Sequence, residues 1–399
     1  MRKLLFVLAA AVAASASAQV RLIARLAPGA DPVAVATAHK IDFLDRTTDG
    51  PFALFSATDG ADGERAQAEM GTDTRVIWVE DDDVVASPEG AGDPPTVTKK
   101  GSVLPVVGDR KALYPFNKSA FDVVGWSETL AGAVGRTVRV GILDTGLGQK
   151  QTAMWAKVDA SVNFVEKGRP AYDHPRNIDS DGDGVKDSAT GHGTFVAGII
   201  DQLAPQTRLV IARVADSDGL ASAWTLIKGL SFAVAQKCEV VNVSLGTQSD
   251  LPAMDDVLDY CEEQGTLVVA AMGNDNTKRA DYPARCEKAV AVAGLLPDLV
   301  RAPFSNWENA CDASAPATGI LSQWWDGKTA IWSGTSFSTP IVAALLADAA
   351  RRSPVPVKPA TFRKLLPKCG TRPDKQNPQA AGKLGVVPDH ARLVKAVGG

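Results

Sequence analysis

Val138-Arg139-Val140-Gly141-Ile142-Leu143-Asp144-Thr145-Gly146 is the stretch whose reading decides the fold. Its apolar, β-branched run lacks the alternation of a half-exposed strand, so it reads as a strand buried on both faces. Asp-Thr-Gly then supplies a turn. The theme recurs at Leu209–Val214, Glu239–Ser244 and Thr266–Ala271. Helical stretches near Ser222–Gln236 and Met254–Gln264 separate these runs. Buried strands alternating with helices, joined by right-handed crossovers, give an α/β fold: a doubly wound parallel sheet with helices on both faces. Such sheets bind ligands beyond the carboxyl ends of their strands, where both Asp144 and Asn274 fall.

Upstream, residues 19–88 read as strand, helix, strand, helix, strand: Val20–Leu26, Asp31–His39, Phe52–Ala57, Gly63–Met70 and Val76–Val79. That pattern predicts a small α+β domain. Residues 89–112 form a linker that opens rich in Pro and Gly, and 113–399 form the main domain. At the start, Met1-Arg2-Lys3, an apolar run Leu4–Ala14 and Ala16-Ser17-Ala18 make residues 1–18 a signal peptide, with the run too short to span a bilayer. The expected location is therefore extracellular or periplasmic.

Three polar residues sit where nucleophilic chemistry needs them. Asp144 follows its buried strand. His192 lies in Gly191-His192-Gly193-Thr194 at a helix start, 48 residues on, where small neighbours would let other groups approach the ring. Ser336 lies in Gly334-Thr335-Ser336-Phe337-Ser338-Thr339-Pro340, before an apolar helix whose first turn Pro340 suits. A serine hydroxyl becomes a nucleophile when an imidazole takes its proton, and a carboxylate holds that imidazole. Taken singly, a turn aspartate, a core histidine and an N-cap serine explain each residue as well. Asn274, after Ala270-Ala271-Met272-Gly273, offers an amide donor for an oxyanion, or simply an Asn-Asp turn.

Together these segments resemble the subtilisin-like serine proteases, in which the chain order is Asp, His, Ser. Val241-Asn242-Val243-Ser244-Leu245-Gly246, Phe304-Ser305-Asn306 and Ser314-Ala315-Pro316 extend the similarity. The resemblance implies catalytic roles for Asp144, His192, Ser336 and Asn274. It implies substrate-binding edges at Ser244, Leu245, Gly246 and, in the facing strand, Gly219. It implies a secreted, monomeric serine endopeptidase made as a zymogen, acting on polypeptide substrates. Residues 19–88, ending in Val79-Glu80-Asp81-Asp82, would be a propeptide that inhibits the enzyme intramolecularly. Peptide binding by β-augmentation is largely blind to side chains, so broad specificity follows, with an apolar P1 residue (the residue that donates the scissile carbonyl). A catalytically silent binding protein, or a ligase or esterase, remains the alternative.

Asp179-Ser180-Asp181-Gly182-Asp183-Gly184-Val185-Lys186-Asp187 matches the first part of a calcium loop. Asp179, Asp181, Asp183 and Asp187 are the expected ligands. Thr190 stands where such loops carry a bidentate Glu. No organic cofactor is implied.

A net charge of −4 argues against nucleic acid or an anionic membrane as the main partner. All five cysteines follow residue 237. In an exported chain they suggest bridges Cys238–Cys261, each just before a strand, and Cys286–Cys311, flanking one, with five buried thiols as the alternative. Some subtilases similarly carry a bridge into the segment matching Cys311.

Overall fold

The computed structural model describes residues 19–48, 50–87, 96–97, 110–127 and 135–398, with 96–97 and 110–112 described by backbone alone. The expected signal peptide and most of the expected linker lie outside these residues. The chain divides into two compact units: Met1–Arg46 with Pro51–Asp82, and Thr47–Gly50 with Asp83–Gly399.

In the first unit, β1 (Val20–Leu26), α1 (Pro32–His39), β2 (Asp42–Arg46), β3 (Phe52–Ala57), α2 (Gly60–Met70) and β4 (Val76–Asp81) follow one another. The strands form an antiparallel sheet in the order β2-β3-β1-β4. Asp31 and Asp59 cap the two helices, accepting from the Val33 and Asp62 N–H groups. Leu22, Ala24 and Phe55 share one core with Val35 and Ala36 of α1 and Ala66 and Met70 of α2. The sequence reading missed β2, because Asp-Phe-Leu-Asp-Arg carries too little apolar content to read as a strand.

The second unit opens with β5 (Val84–Ala86), β6 (Thr96–Val97) and α3 (Arg110–Val123). Then come β7 (Arg139–Asp144), α4 (Thr152–Trp155), β8 (Val158–Asn163), α5 (His192–Leu203), β9 (Arg208–Arg213), β10 (Leu220–Ser222) and α6 (Ala223–Ala235). β11 (Val240–Val243), α7 (Pro252–Glu263), β12 (Leu267–Ala271), β13 (Ala289–Leu295), β14 (Ala313–Pro316), β15 (Ile320–Gln323), β16 (Thr329–Trp332), α8 (Thr335–Arg352), α9 (Pro359–Leu365) and α10 (His390–Ala396) complete the part used below.

Seven strands form the central sheet in the order β14-β13-β12-β11-β7-β9-β8, and every pairing is parallel. The strand order reverses at β7, which places Asp144 at the topological switch point. Both faces of β7 are covered. Gly141 and Leu143 lie against α6, where Cβ atoms on Gly141 and Gly229 would meet Ala233 and Leu143. Asp144, on the other face, lies against Gly193 of α5. α5 packs on α8, which runs under β11, β12, β13 and β14. No helix among the described residues is long and apolar enough to cross a membrane.

The expected disulfides are not formed: all five cysteines are free and buried. Cys238 and Cys261 are neighbours as anticipated, since Thr266 donates to both their carbonyls. Their side chains serve the core instead, with the Cys238 sulfur facing Gly141. Cys311 Sγ points to the Ala313 carbonyl, 3.2 Å away. Burial pushes the Cys261 thiol up to about 12 and Cys238, Cys286 and Cys311 higher, so these thiols are unreactive.

Candidate active site

Asp144 and His192 come together at the switch point. His192 Nδ1 lies 2.7 Å from Asp144 Oδ1, and both residues are fully buried. The same carboxylate oxygen accepts the Thr145 N–H at 2.8 Å. A carboxylate in this position fixes the imidazole's tautomer and stabilises its cation. The His192 ring packs against Phe337, the residue after Ser336, with centroids 5.5 Å apart, and edge-on to Trp332 at 5.5 Å.

The glycines around His192 answer a different need from the one read in the sequence. Gly191 has φ +96°, and a Cβ there would come within 2.6 Å of the Trp324 ring. A Cβ on Gly193 would overlap the Gly146 carbonyl. Gly191 therefore lets the helix start sit against Trp324, and Gly193 lets it sit close to the β7 turn. Asp173, which the sequence reading missed, clamps this start. It is buried and accepts from Gly191 N at 2.9 Å, Thr194 N at 3.1 Å and Thr194 Oγ1 at 2.6 Å. Burial pushes its carboxyl up, opposed by those hydrogen bonds. No local sequence signal marks Asp173; only the fold brings it 18 residues forward onto Gly191.

Ser336 is the second residue of α8, with the helix's free N–H groups around it. Pro340 stands inside the helix, not in its first turn as expected. Having no N–H, it leaves the Ser336 carbonyl without its helical donor, and Ser244 Oγ donates there at 2.8 Å. Asn274 is held by its own carbonyl, which accepts from Thr335 N and Thr335 Oγ1, each at 2.9 Å. These two bonds fix the Asn274 side chain against the first residue of α8.

The expected substrate edges hold a strand of this chain. Ala86 N donates to the Gly246 carbonyl at 3.0 Å, and Gly246 N returns a bond to Ala86 at 2.8 Å. Ser87 N donates to the Gly219 carbonyl at 3.0 Å, and β5 pairs antiparallel with β10. Gly219 adopts φ +89°, and Leu245 is fully buried. Peptide backbone thus occupies the gap between Gly219 and Gly246 as an added strand.

In the acidic loop, Asp179, Asp181 and Asp183 converge with oxygens within 4.8 Å of one another. Asp187 does not join them. It turns back to accept from Ser217 Oγ at 2.6 Å, Arg176 N at 2.9 Å and Asn177 N at 2.7 Å. Burial raises its pKa, but these bonds outweigh that and hold it below the usual value. Asp218 is buried and anchors the loop, accepting from Ser180 N at 2.6 Å and Ser188 N at 2.9 Å. Asp181 is raised by burial and by Asp218, Asp183 and Asp179.

A buried Asp–His pair thus lies at the switch point of a doubly wound sheet, with the His192 ring against Phe337, the residue after Ser336 in the first turn of α8. The family comparison is in agreement: residues 135–382 match the subtilase family, and the chain belongs to it. It is 32% identical over 234 residues to the minor extracellular protease Epr of Bacillus subtilis (strain 168), covering 56% of this chain and 34% of that protein. It is 31% identical over 237 residues to an intracellular serine protease of Paenibacillus polymyxa, covering 56% and 68%. It is 31% identical over 232 residues to subtilisin BL of Lederbergia lenta, covering 56% and 80%. The chain thus spans about a third of the length of Epr, and its relatives include proteins named extracellular and intracellular.

Proposed function

We propose that this chain is a secreted serine endopeptidase made as a zymogen. The fully buried His192–Asp144 contact at 2.7 Å, with the His192 ring against Phe337, the residue after Ser336, carries the reading. Ser336 Oγ attacks a peptide carbonyl and His192 takes its proton. Asp144 keeps the ring oriented and stabilises the imidazolium. The Asn274 amide and the Ser336 backbone N–H receive the oxyanion. The C–N bond breaks as His192 returns the proton to the leaving amine, and water then hydrolyses the acyl-enzyme. Backbone pairing at Gly219 and Gly246 binds many sequences, which suits polypeptide substrates in general.

Residues 19–88 act as propeptide. The strand Val84–Ala86 in the substrate gap supports this, because a chain paired there excludes any other peptide. The basic and apolar leader supports export. Calcium held by Asp179, Asp181 and Asp183 would pin the loop before His192: three acceptor-only carboxylates this close repel one another without a cation. The enzyme works as a monomer.

Labelling with a fluorophosphonate tests the core of this reading. Wild type should be labelled once and Ser336→Ala not at all. Absence of labelling in processed wild type would contradict a reactive serine.

A further inference from the structure

Beyond the paired strands β11 and β12, the two chain ends part. Thr247 leaves to pair with Tyr282, through Thr247 N to Tyr282 O at 3.1 Å and Tyr282 N to Thr247 O at 2.9 Å. On the other side Asp281 N donates to the Met272 carbonyl at 3.1 Å. Asp281-Tyr282 therefore crosses between the strand end carrying Ser244–Gly246 and the one carrying Gly273 and Asn274.

The Asp281 side chain sits in the space two glycines leave. A Cβ on Gly246 would lie 2.9 Å from Asp281 Cβ and 3.3 Å from Oδ2, and a Cβ on Gly273 would overlap Oδ2. Asp281 is only 4% exposed. Its carboxylate has one hydrogen bond among the described residues, a long one from Asn306 Nδ2 to Oδ1 at 3.4 Å. Oδ2 accepts none from them. A buried carboxylate this poorly satisfied is costly, so such groups ordinarily have a partner. Burial pushes its pKa up to about 7, with Asp275 adding to the rise and Arg279 opposing it. Arg279 is itself engaged with Asp250 at 2.7 Å.

The strand in the cleft shows where substrate side chains go. Ala86 lies opposite Gly246, running antiparallel to 244–246. A substrate residue two positions further along lies opposite Ser244, whose carbonyl receives the Ser336 hydroxyl at 3.1 Å. That residue presents the scissile carbonyl. Its side chain has the gap between Ser244–Gly246 and Gly273–Asn274 to enter, and Asp281 is the floor of that gap.

We propose that Asp281 is a specificity-determining residue of this chain, taking the cationic side chain of a lysine or arginine at P1. This rests on the endopeptidase reading and replaces the apolar P1 expected from the sequence. An arginine fork would give the unsatisfied oxygen its donors in a charge-assisted, two-point contact.

The test uses the full chain after it has processed itself, with matched tetrapeptide anilides ending in Arg, Lys, Phe or Leu. At pH 8.5 (~1.5 units above the Asp281 pKa, so nearly full ionisation), wild type should cleave the Arg and Lys substrates ~10- to 100-fold more efficiently than Phe or Leu. The isosteric Asp281→Asn should erase or invert that ratio, and benzamidine should inhibit wild type competitively but Asp281→Asn far more weakly. An Arg-to-Phe ratio near one in wild type that Asp281→Asn leaves unmoved would overturn the proposal. Wild type that cleaves nothing and takes no fluorophosphonate would overturn the endopeptidase reading as well, so the two failures are told apart by the label.

Discussion

Ser244 and Ser336 are tied twice. Ser244 Oγ donates to the Ser336 carbonyl at 2.8 Å, and Ser336 Oγ donates to the Ser244 carbonyl at 3.1 Å. The first bond exists because Pro340 cannot supply the helical donor. The second occupies the carbonyl that, in the proposed function, a bound substrate's own N–H would face. The chain at Ser244 and the first turn of α8 are therefore one hydrogen-bonded unit, and Asn242 Nδ2 steadies it with a bond to Ser244 Oγ at 3.0 Å.

Ser244→Ala should strand the Ser336 carbonyl in a dry site. The expected cost is ~1–3 kcal/mol of stability, the range for a buried polar group left unpaired. Thermal denaturation of Ser336→Ala with and without the added change measures this free of self-digestion. An unchanged midpoint would mean that another donor serves the carbonyl.

Thr335→Val removes one of the two donors that hold the Asn274 carbonyl and keeps the backbone donor. Losing one neutral hydrogen bond, ~1 kcal/mol, should lower kcat by ~5-fold with KM nearly unchanged, since the oxyanion forms only in the transition state. A change in KM alone would argue that Asn274 serves ground-state binding.

Asp281 also makes a stability signature. Its folded pKa, about 7, lies above the ordinary aspartate value, so the folded state holds the proton more tightly than the unfolded one. Its contribution is most favourable below the unfolded pKa and is lost as pH rises through the folded one. Asp281→Asn should accordingly raise the melting temperature at pH 8.5 and bring little gain at pH 4. A stabilisation that is the same at both pH values would contradict an ionising, buried Asp281. A substrate cation would restore the stability that ionisation removes.

Calcium should raise the melting temperature of wild type, and a chelator should reverse it. Asp181→Asn should abolish that response. Asp187→Asn should keep the calcium response while lowering stability in its absence, because Asp187 braces the backbone of 176–178. A calcium response lost in Asp187→Asn and kept in Asp181→Asn would reverse the assignment of ligands.

The sheet could be read from the sequence because Val140–Leu143, Val240–Val243 and Leu267–Ala271 are buried on both sides and so leave unbroken apolar runs. Edge strands left weaker marks: β8 alternates half-exposed and exposed residues, and it passed unread. His192 was legible because it sits in a local word whose glycines the backbone requires, and Ser336 because its Ser- and Thr-rich word opens an apolar helix. Asp173 and Asp281 were not, since each draws its meaning from glycines or N–H groups distant in sequence. Asp187 misled for a related reason. Its spacing suits a metal loop, but its left-handed backbone, φ +56°, accompanies a side chain turned onto Arg176 and Asn177.

The central claim is that Ser336, served by His192, cuts peptide bonds and frees the chain from the strand lying in its own cleft. It is tested most directly by following the intact mass of chain starting at Gln19, as wild type and as Ser336→Ala, with casein present in parallel. Wild type should shed its N-terminal unit by a cut beyond Ser87 and then degrade casein, while Ser336→Ala stays whole and inert. A Ser336→Ala chain that matures and digests casein as wild type does, or a wild type that stays full length and inert beside it, would contradict the account.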